Sequence, residues 1–266
     1  MWATINGGHR VARWRARVTA EPRLRWMRCE LQVAGPLGLT LAQSMVVEPL
    51  LSLVTPAAGR VLLPAALIEA GDGMVLVLGR SGSGKSTLAI RALAAGRLVG
   101  ADDQVLLAAD GRCAGLPRRL RVYGDLPGVV PEAHAVLDRG IRRRIALAAA
   151  IDRASRGRVS PPALVRPGAV SAAASRPVHD IQPARVVLLG ASGGAPPTGE
   201  ELVGCAVGLL AEQRARLLAA GVRPPEETAR RETEILTSAL AGMRVTRLDA
   251  RASSDALRAL DGLQRA

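Results

Sequence analysis

Phenylalanine is absent from this 266-residue chain, tyrosine occurs once (Tyr123) and tryptophan three times (Trp2, Trp14 and Trp26). A core drawn from this sequence is therefore aliphatic, and the 48% hydrophobic content is enough to build one sizeable domain or a domain with a small appendage. The shortage of aromatics also removes the platforms on which single-stranded nucleic acid stacks. Cysteine is scarce too. Cys29, Cys113 and Cys205 form no CxxC pair and have no histidine pair beside them, so neither a zinc site nor a disulfide framework is indicated. They are expected as buried free thiols in a reducing cytosol. The amino terminus is basic but lacks the uninterrupted apolar stretch of a signal peptide, and no run approaches the ~20 apolar residues of a membrane span. The sequence thus reads as a soluble, cytoplasmic protein with no membrane partner.

Lysine is rarer still. Of the 36 basic residues one alone, Lys85, is lysine, so wherever arginine suffices it has been used. The 23 acidic residues leave a formal charge of +13, which raises a nucleic-acid hypothesis. Arginine is scattered from Arg10 to Arg265, as expected of solvated helix faces and ion pairs, and no nucleic-acid reader motif accompanies it.

Residues 1–58 mix a basic Trp-containing stretch with short apolar runs, Ser44–Val47 and Leu50–Val54, broken by Pro36, Pro49 and Pro56. They read as a small, mainly β amino-terminal region. From Arg60 a strand over Val61–Glu69, a turn at Gly71-Asp72-Gly73 and an apolar strand over Met74–Leu78 are expected. A helix over Lys85–Ala95 should end at Gly96 in the left-handed conformation. Extended segments follow over Leu98–Ala101 and Gln104–Ala109, then a hairpin turn at Asp110-Gly111 into Arg112–Val122. The Arg-, Ala- and Pro-rich stretch 125–183 offers one helix around Ile141–Ile151 and room for a mobile loop. Beyond it, Arg185–Leu189 and Met243–Leu248 read as strands. Helices are expected from a Thr198/Glu201 capping box to about Ala220, over Pro225–Ala241 and over Ser254–Leu263. The expected architecture is α/β: a P-loop domain over residues 59–266, with a mixed sheet flanked by helices, carrying the small region 1–58.

The chemistry concentrates in Gly79, Arg80, Ser81, Gly82, Ser83, Gly84, Lys85 and Ser86, a complete match to G-x-x-x-x-G-K-[ST]. Glycines permit positive φ and keep Cβ atoms away, so successive backbone N–H groups can face one anion. The helix behind adds the positive end of its dipole. The sole lysine falls where a compact cation reaches the β- and γ-phosphates of ATP, and Ser86 falls where a hydroxyl reaches Mg²⁺. Thr87 completes the nucleotide-binding set. Asp102 and Asp103 follow the next segment; Asp103 is assigned the acceptor hydroxyl as general base or orienter, and Asp102 the metal. On an extended backbone the two should point apart and meet different partners.

Residues 79–107, GRSGSGKSTLAIRALAAGRLVGADDQVLL, resemble the core of HPr kinase/phosphorylase and the wider HPr-kinase-like serine kinases, in which P-loop, short Gly-ended helix and double aspartate follow at this spacing. PARVVLLG and MRVTRLDA with DALRALDGL extend the resemblance over roughly residues 60–266. It implies ATP at Gly79–Ser86, Mg²⁺ at Ser86 and the proton acceptor at Asp103. The acceptor would be a serine of a peptide or protein, as in the relatives that phosphorylate lasso peptide precursors, and a homo-oligomer is compatible with it. Pro64 stands where HPr kinase has a histidine, and its later glycine-rich signature with a glutamate is missing, which speaks against phosphorylase activity. Two other readings are an ATP-gated scaffold without turnover and a nucleic-acid-binding NTPase. The absence of an NKxD segment speaks against a GTPase. His9, His134 and His179 form no catalytic order, and Gly190–Gly194 reads as a plain loop. Arg118, Arg119 and Arg121, or Arg142, Arg143 and Arg144, are candidates for holding a phosphoryl group or an acidic peptide.

Overall fold

The computed structural model describes residues 2–262 except 10, 11, 22, 36, 37, 72, 117, 159, 173, 175, 191–196 and 249–255. Pro36, Asp72 and most of the Gly190–Gly194 loop therefore lie outside the described residues. The chain forms two compact units. The first gathers Met1–Pro64, Leu106–Arg112 and Pro197–Gly242; the second gathers Ala65–Val105, Cys113–Pro196 and Met243–Ala266. The expected linear division at 58/59 does not show this return of residues 197–242 to the amino-terminal part.

In the first unit, Trp2–His9, Ala12–Ala20 and Met27–Ala34 pair as an antiparallel sheet. Trp14, Ala16, Val18 and Ala20 alternate inward along the middle strand, the two-residue period of a half-buried sheet. Trp14 lies opposite Gly7 and its ring occupies the space a Cβ on Gly7 would need. The mainly β expectation fails after this sheet, because Gly38–Ala58 is one continuous helical stretch. Pro49 stands in the first turn of the α-helical part, just after a wider π turn at Gln43–Val47, and Pro56 opens a closing 3₁₀ turn; the missing N–H groups thus fall where the helix geometry changes. Ala42, Val46, Leu50 and Leu53 line one face and join Ile5, Trp14 and Val18 in the core. By length and composition Gly38–Ala58 could cross a membrane, the one such stretch among the described residues. It is an amphipathic core helix here, with Glu48 and Ser52 buried. Gly199–Ala219, opened by the expected Thr198/Glu201 capping box, and Glu226–Leu240 complete this unit.

The second unit is built on a five-stranded mixed sheet in the order Val245–Leu248, Arg185–Leu189, Gly73–Leu78, Ala65–Ala70, Val99–Ala101. The strand expected over Val61–Glu69 is split at Pro64, and Arg60–Leu63 belongs to another sheet. Arg185–Leu189 runs parallel to Gly73–Leu78, whereas Ala65–Ala70 is antiparallel to both Gly73–Leu78 and Val99–Ala101. Two reversals restore direction, so Gly73–Leu78 and Val99–Ala101 end at the same edge. The helix Lys85–Ala94 packs Leu88, Ala89 and Leu93 beside Ile68, Val75 and Val77. It ends as expected: Gly96 has φ +78°, its N–H bonds Leu93, and the Arg97 N–H bonds Ala92, the paired bonds of a Schellman cap. The stretch after Asp125 is more ordered than its composition suggests. Leu126–Val129, Pro131–Val136 and Arg139–Ala154 are helical, the last capped by the Asp138 side chain on the Ile141 N–H at 2.8 Å. Leu126, Val130, Leu137, Ile141 and Ile145 carry an aliphatic stripe into the core. Both units mix helix and strand, and this level of the α/β expectation holds.

Of the three cysteines only Cys113 is buried; Cys29 and Cys205 are exposed, against the expectation of buried thiols, because Cys29 points outward from an edge strand and Cys205 lies on a solvent face of its helix.

Candidate functional site: a phosphate cradle with a paired aspartate

The apolar strand Gly73–Leu78 delivers Gly79 to the carboxyl edge of the sheet, where the chain must turn. Gly79 has no room for a side chain, since a Cβ there would collide with Ser83 Oγ and stand 3.0 Å from Leu189 Cβ. Gly82 and Gly84 take φ of +77° and +101°, conformations an L residue adopts only with strain. The Ser83 N–H bonds the Arg80 carbonyl at 3.1 Å, which closes the loop just before the helix begins at Lys85. The buried Lys85 ammonium donates to the carbonyl of Gly79 and, at 3.1 Å, to that of Arg80. The cation is thereby held across the mouth of the loop.

Val99–Ala101 ends at the same edge and hands over to Asp102 and Asp103. The chain bends at this pair rather than running extended, so the expectation that they meet different partners is wrong. Both face Arg118. Its Nη1 donates to Asp103 Oδ2 at 3.0 Å, and its Nε stands 3.9 Å from Asp102 Oδ1. Asp102 is 3% exposed and the Arg118 side chain 5%, whereas the Asp103 side chain is 27% exposed. Burial pushes the Asp102 carboxyl up to about 6; Arg118 opposes the rise, Asp103 adds to it and Arg121 opposes it.

One cavity of about 300 Å³ brings the expected residues together, a volume at the lower end of the range of about 300–1,000 Å³ for ligand sites. Ser81, Gly82, Gly84, Lys85, Ser86 and Thr87 form its loop side and Asp102 and Asp103 its acidic side. Gly79, Arg80 and Ser83 shape the loop from beneath without lining the cavity. Reasoning from sequence did not place Arg118 against the aspartates, nor the far wall of Ile90, Val122, Tyr123, Leu126 and Val130. Arg121 also lines the cavity, whereas Arg119, Arg142, Arg143 and Arg144 do not and are exposed, as are the solvated faces expected of scattered arginine. His134 and His179 lie off it as well.

No group of three or more His, Cys, Asp or Glu side chains suited to holding a metal occurs among the described residues. The oxygen donors expected to serve a metal, the Asp102 and Asp103 carboxylates and the Ser86 hydroxyl, line this cavity together, and a third carboxylate, Asp125, lines it as well. That set fits Mg²⁺, which takes one or two carboxylates and completes its shell with phosphate and water oxygens.

The raised carboxyl of Asp102 makes stability depend on pH. Between about pH 4 and pH 6 the folded chain holds a proton that the unfolded chain has released, so this group weakens the fold as pH rises through about 6. Asp102→Asn, which leaves Arg118 paired with Asp103, is expected to raise the thermal midpoint at pH 7.5 and to lose that gain by pH 4.5. A midpoint lowered equally at both values would contradict the burial argument.

No protein-family model matches the chain, and no curated protein matches it.

Proposed function

We propose that the chain is an ATP-dependent, HPr-kinase-like serine kinase that transfers the γ-phosphoryl group to a serine hydroxyl of a peptide or protein, such as a ribosomally made, lasso-type precursor. The observation that carries this reading is the meeting of the sole lysine, its glycine loop and two adjacent aspartates around one cavity. A loop and lysine alone hold a triphosphate; a kinase also needs a proton acceptor and a metal-binding carboxylate facing it. Ser86 and Asp102 would hold Mg²⁺, which when bound offsets charge on the phosphate oxygens. The loop N–H groups and Lys85 hold the phosphates. Moving Lys85 off the two carbonyls is part of binding, because a phosphate oxygen is the stronger acceptor for an ammonium.

Asp103 is the more exposed carboxylate and is steadied through one oxygen by Arg118. It is the residue that takes or orients the hydroxyl proton. The far wall, where Tyr123 is the chain's only tyrosine, offers apolar surface to the nucleoside. ATP·Mg²⁺ offered with serine-containing peptides, free serine and an HPr protein, followed by mass spectrometry, tests the assignment. One added phosphoryl group on a peptide, absent with Lys85→Ala, is the expected result; ATP binding with no acceptor modified would instead favour a scaffold that has lost turnover.

A further inference from the structure

Asp102 and Arg118 face two cavities. Besides the phosphate cavity, the same two residues line a second space of about 210 Å³. Its floor is the Val99–Ala101 strand and its sides include Leu116, Leu120 and Pro167. Gly100 is held to glycine by packing, since a Cβ there would stand 2.8 Å from Val178 Cβ. The lining is mostly apolar, and Asp102, Arg118 and Arg176 are its charged members. Arg176 at its rim is exposed.

We infer that this second cavity is the acceptor subsite, and that it takes an aliphatic side chain next to the serine that receives the phosphoryl group. The inference rests on the kinase reading and narrows its substrate class. A polypeptide seated there places its apolar side chain against Leu116 and Leu120, and the adjoining serine reaches past Asp102 and Arg118, which line both spaces, to bring its hydroxyl to Asp103 in the phosphate cavity. The volume suits one medium-sized aliphatic group, and burying such a group stabilises the complex without any charge on the substrate. Transfer then takes place in the phosphate cavity, where Asp103 lies. The serine oxygen bonds to the γ-phosphorus, the bond from that phosphorus to the β–γ bridging oxygen breaks, ADP leaves with the electron pair, and the serine proton passes to Asp103. Arg118 keeps the acceptor of that proton in place and supplies positive charge between the two spaces.

The experiment compares peptides that differ only beside one serine, with Leu, Gly, Asp or Trp at that position, as substrates of the full chain with ATP·Mg²⁺. The Leu peptide should exceed the Gly peptide in kcat/KM by about tenfold or more. Leu116→Ala enlarges the chamber and should shift preference toward the Trp peptide, whereas Leu116→Trp should depress the Leu peptide while the ATP dissociation constant holds. Equal rates on all four peptides would overturn the inference and leave the kinase reading standing, as would a preference for Asp that disappears with Arg176→Glu. Free serine used as well as the Leu peptide would overturn it too. A labelled Leu peptide is also titrated by fluorescence anisotropy with a non-hydrolysable ATP analogue present. Binding lost in Leu116→Trp supports the subsite even where no phosphoryl transfer occurs; no binding of any peptide removes it.

Discussion

Asp103→Asn is expected to lower phosphoryl transfer by about 10²–10⁴-fold, the range for loss of a positioned proton acceptor, with ATP affinity close to that of the parent. Asparagine keeps the shape of the side chain and an oxygen for the Arg118 Nη1, so the cavity wall is preserved. What goes is the capacity to take a proton. A fall in kcat without a rise in the ATP dissociation constant separates this role from nucleotide binding. A variant as active as the parent would move the proton to another group and remove Asp103 from the mechanism.

The second large effect concerns the first unit. In the first unit Arg214 is 4% exposed and donates to Ser52 Oγ at 2.8 Å, to the Ser52 carbonyl at 2.7 Å and to Glu232 through both Nη atoms. It ties the helices Gly199–Ala219 and Glu226–Leu240 to Gly38–Ala58. Arg214→Ala leaves Glu232 as a buried carboxylate with its counter-charge gone, and the expected loss is about 3–5 kcal/mol. Replacing Arg214 by Met and Glu232 by Leu together should recover most of it, since no buried charge is then stranded. All three tryptophans belong to the first unit, so intrinsic tryptophan fluorescence in a urea titration reports the unfolding of that unit. A loss under about 1 kcal/mol for Arg214→Ala would show that the pair adds little beyond its own desolvation cost.

Local chemistry was legible in the sequence wherever one residue type has one use. The glycine loop, the Gly96 cap, the Thr198/Glu201 box and the strand Arg185–Leu189 all stand where the sequence places them, because each rests on contacts within a few residues. Long-range pairing was not legible. Nothing near Arg214 reveals that it meets Ser52, which is 162 positions away, and so nothing along the chain separates residues 197–242 from the second unit. Proline misled at Gly38–Ala58: Pro49 and Pro56 read as breaks, yet each falls at a change of helical pitch that tolerates a missing donor. At the site, alternation along a strand separated the two aspartates, whereas the bend after Ala101 turns both to Arg118. The neighbouring Arg118, Arg119 and Arg121 looked alike in sequence; only burial singles out Arg118.

If Gly79–Ser86 closes on a nucleoside triphosphate, as proposed, titration calorimetry of the full chain with ATP and Mg²⁺ detects it without needing an acceptor. One ATP should bind per chain, with affinity that falls when Mg²⁺ is chelated and collapses in Lys85→Ala, whose thermal midpoint should match the parent's. No heat of binding from a folded parent protein, or undiminished binding by Lys85→Ala, would contradict it.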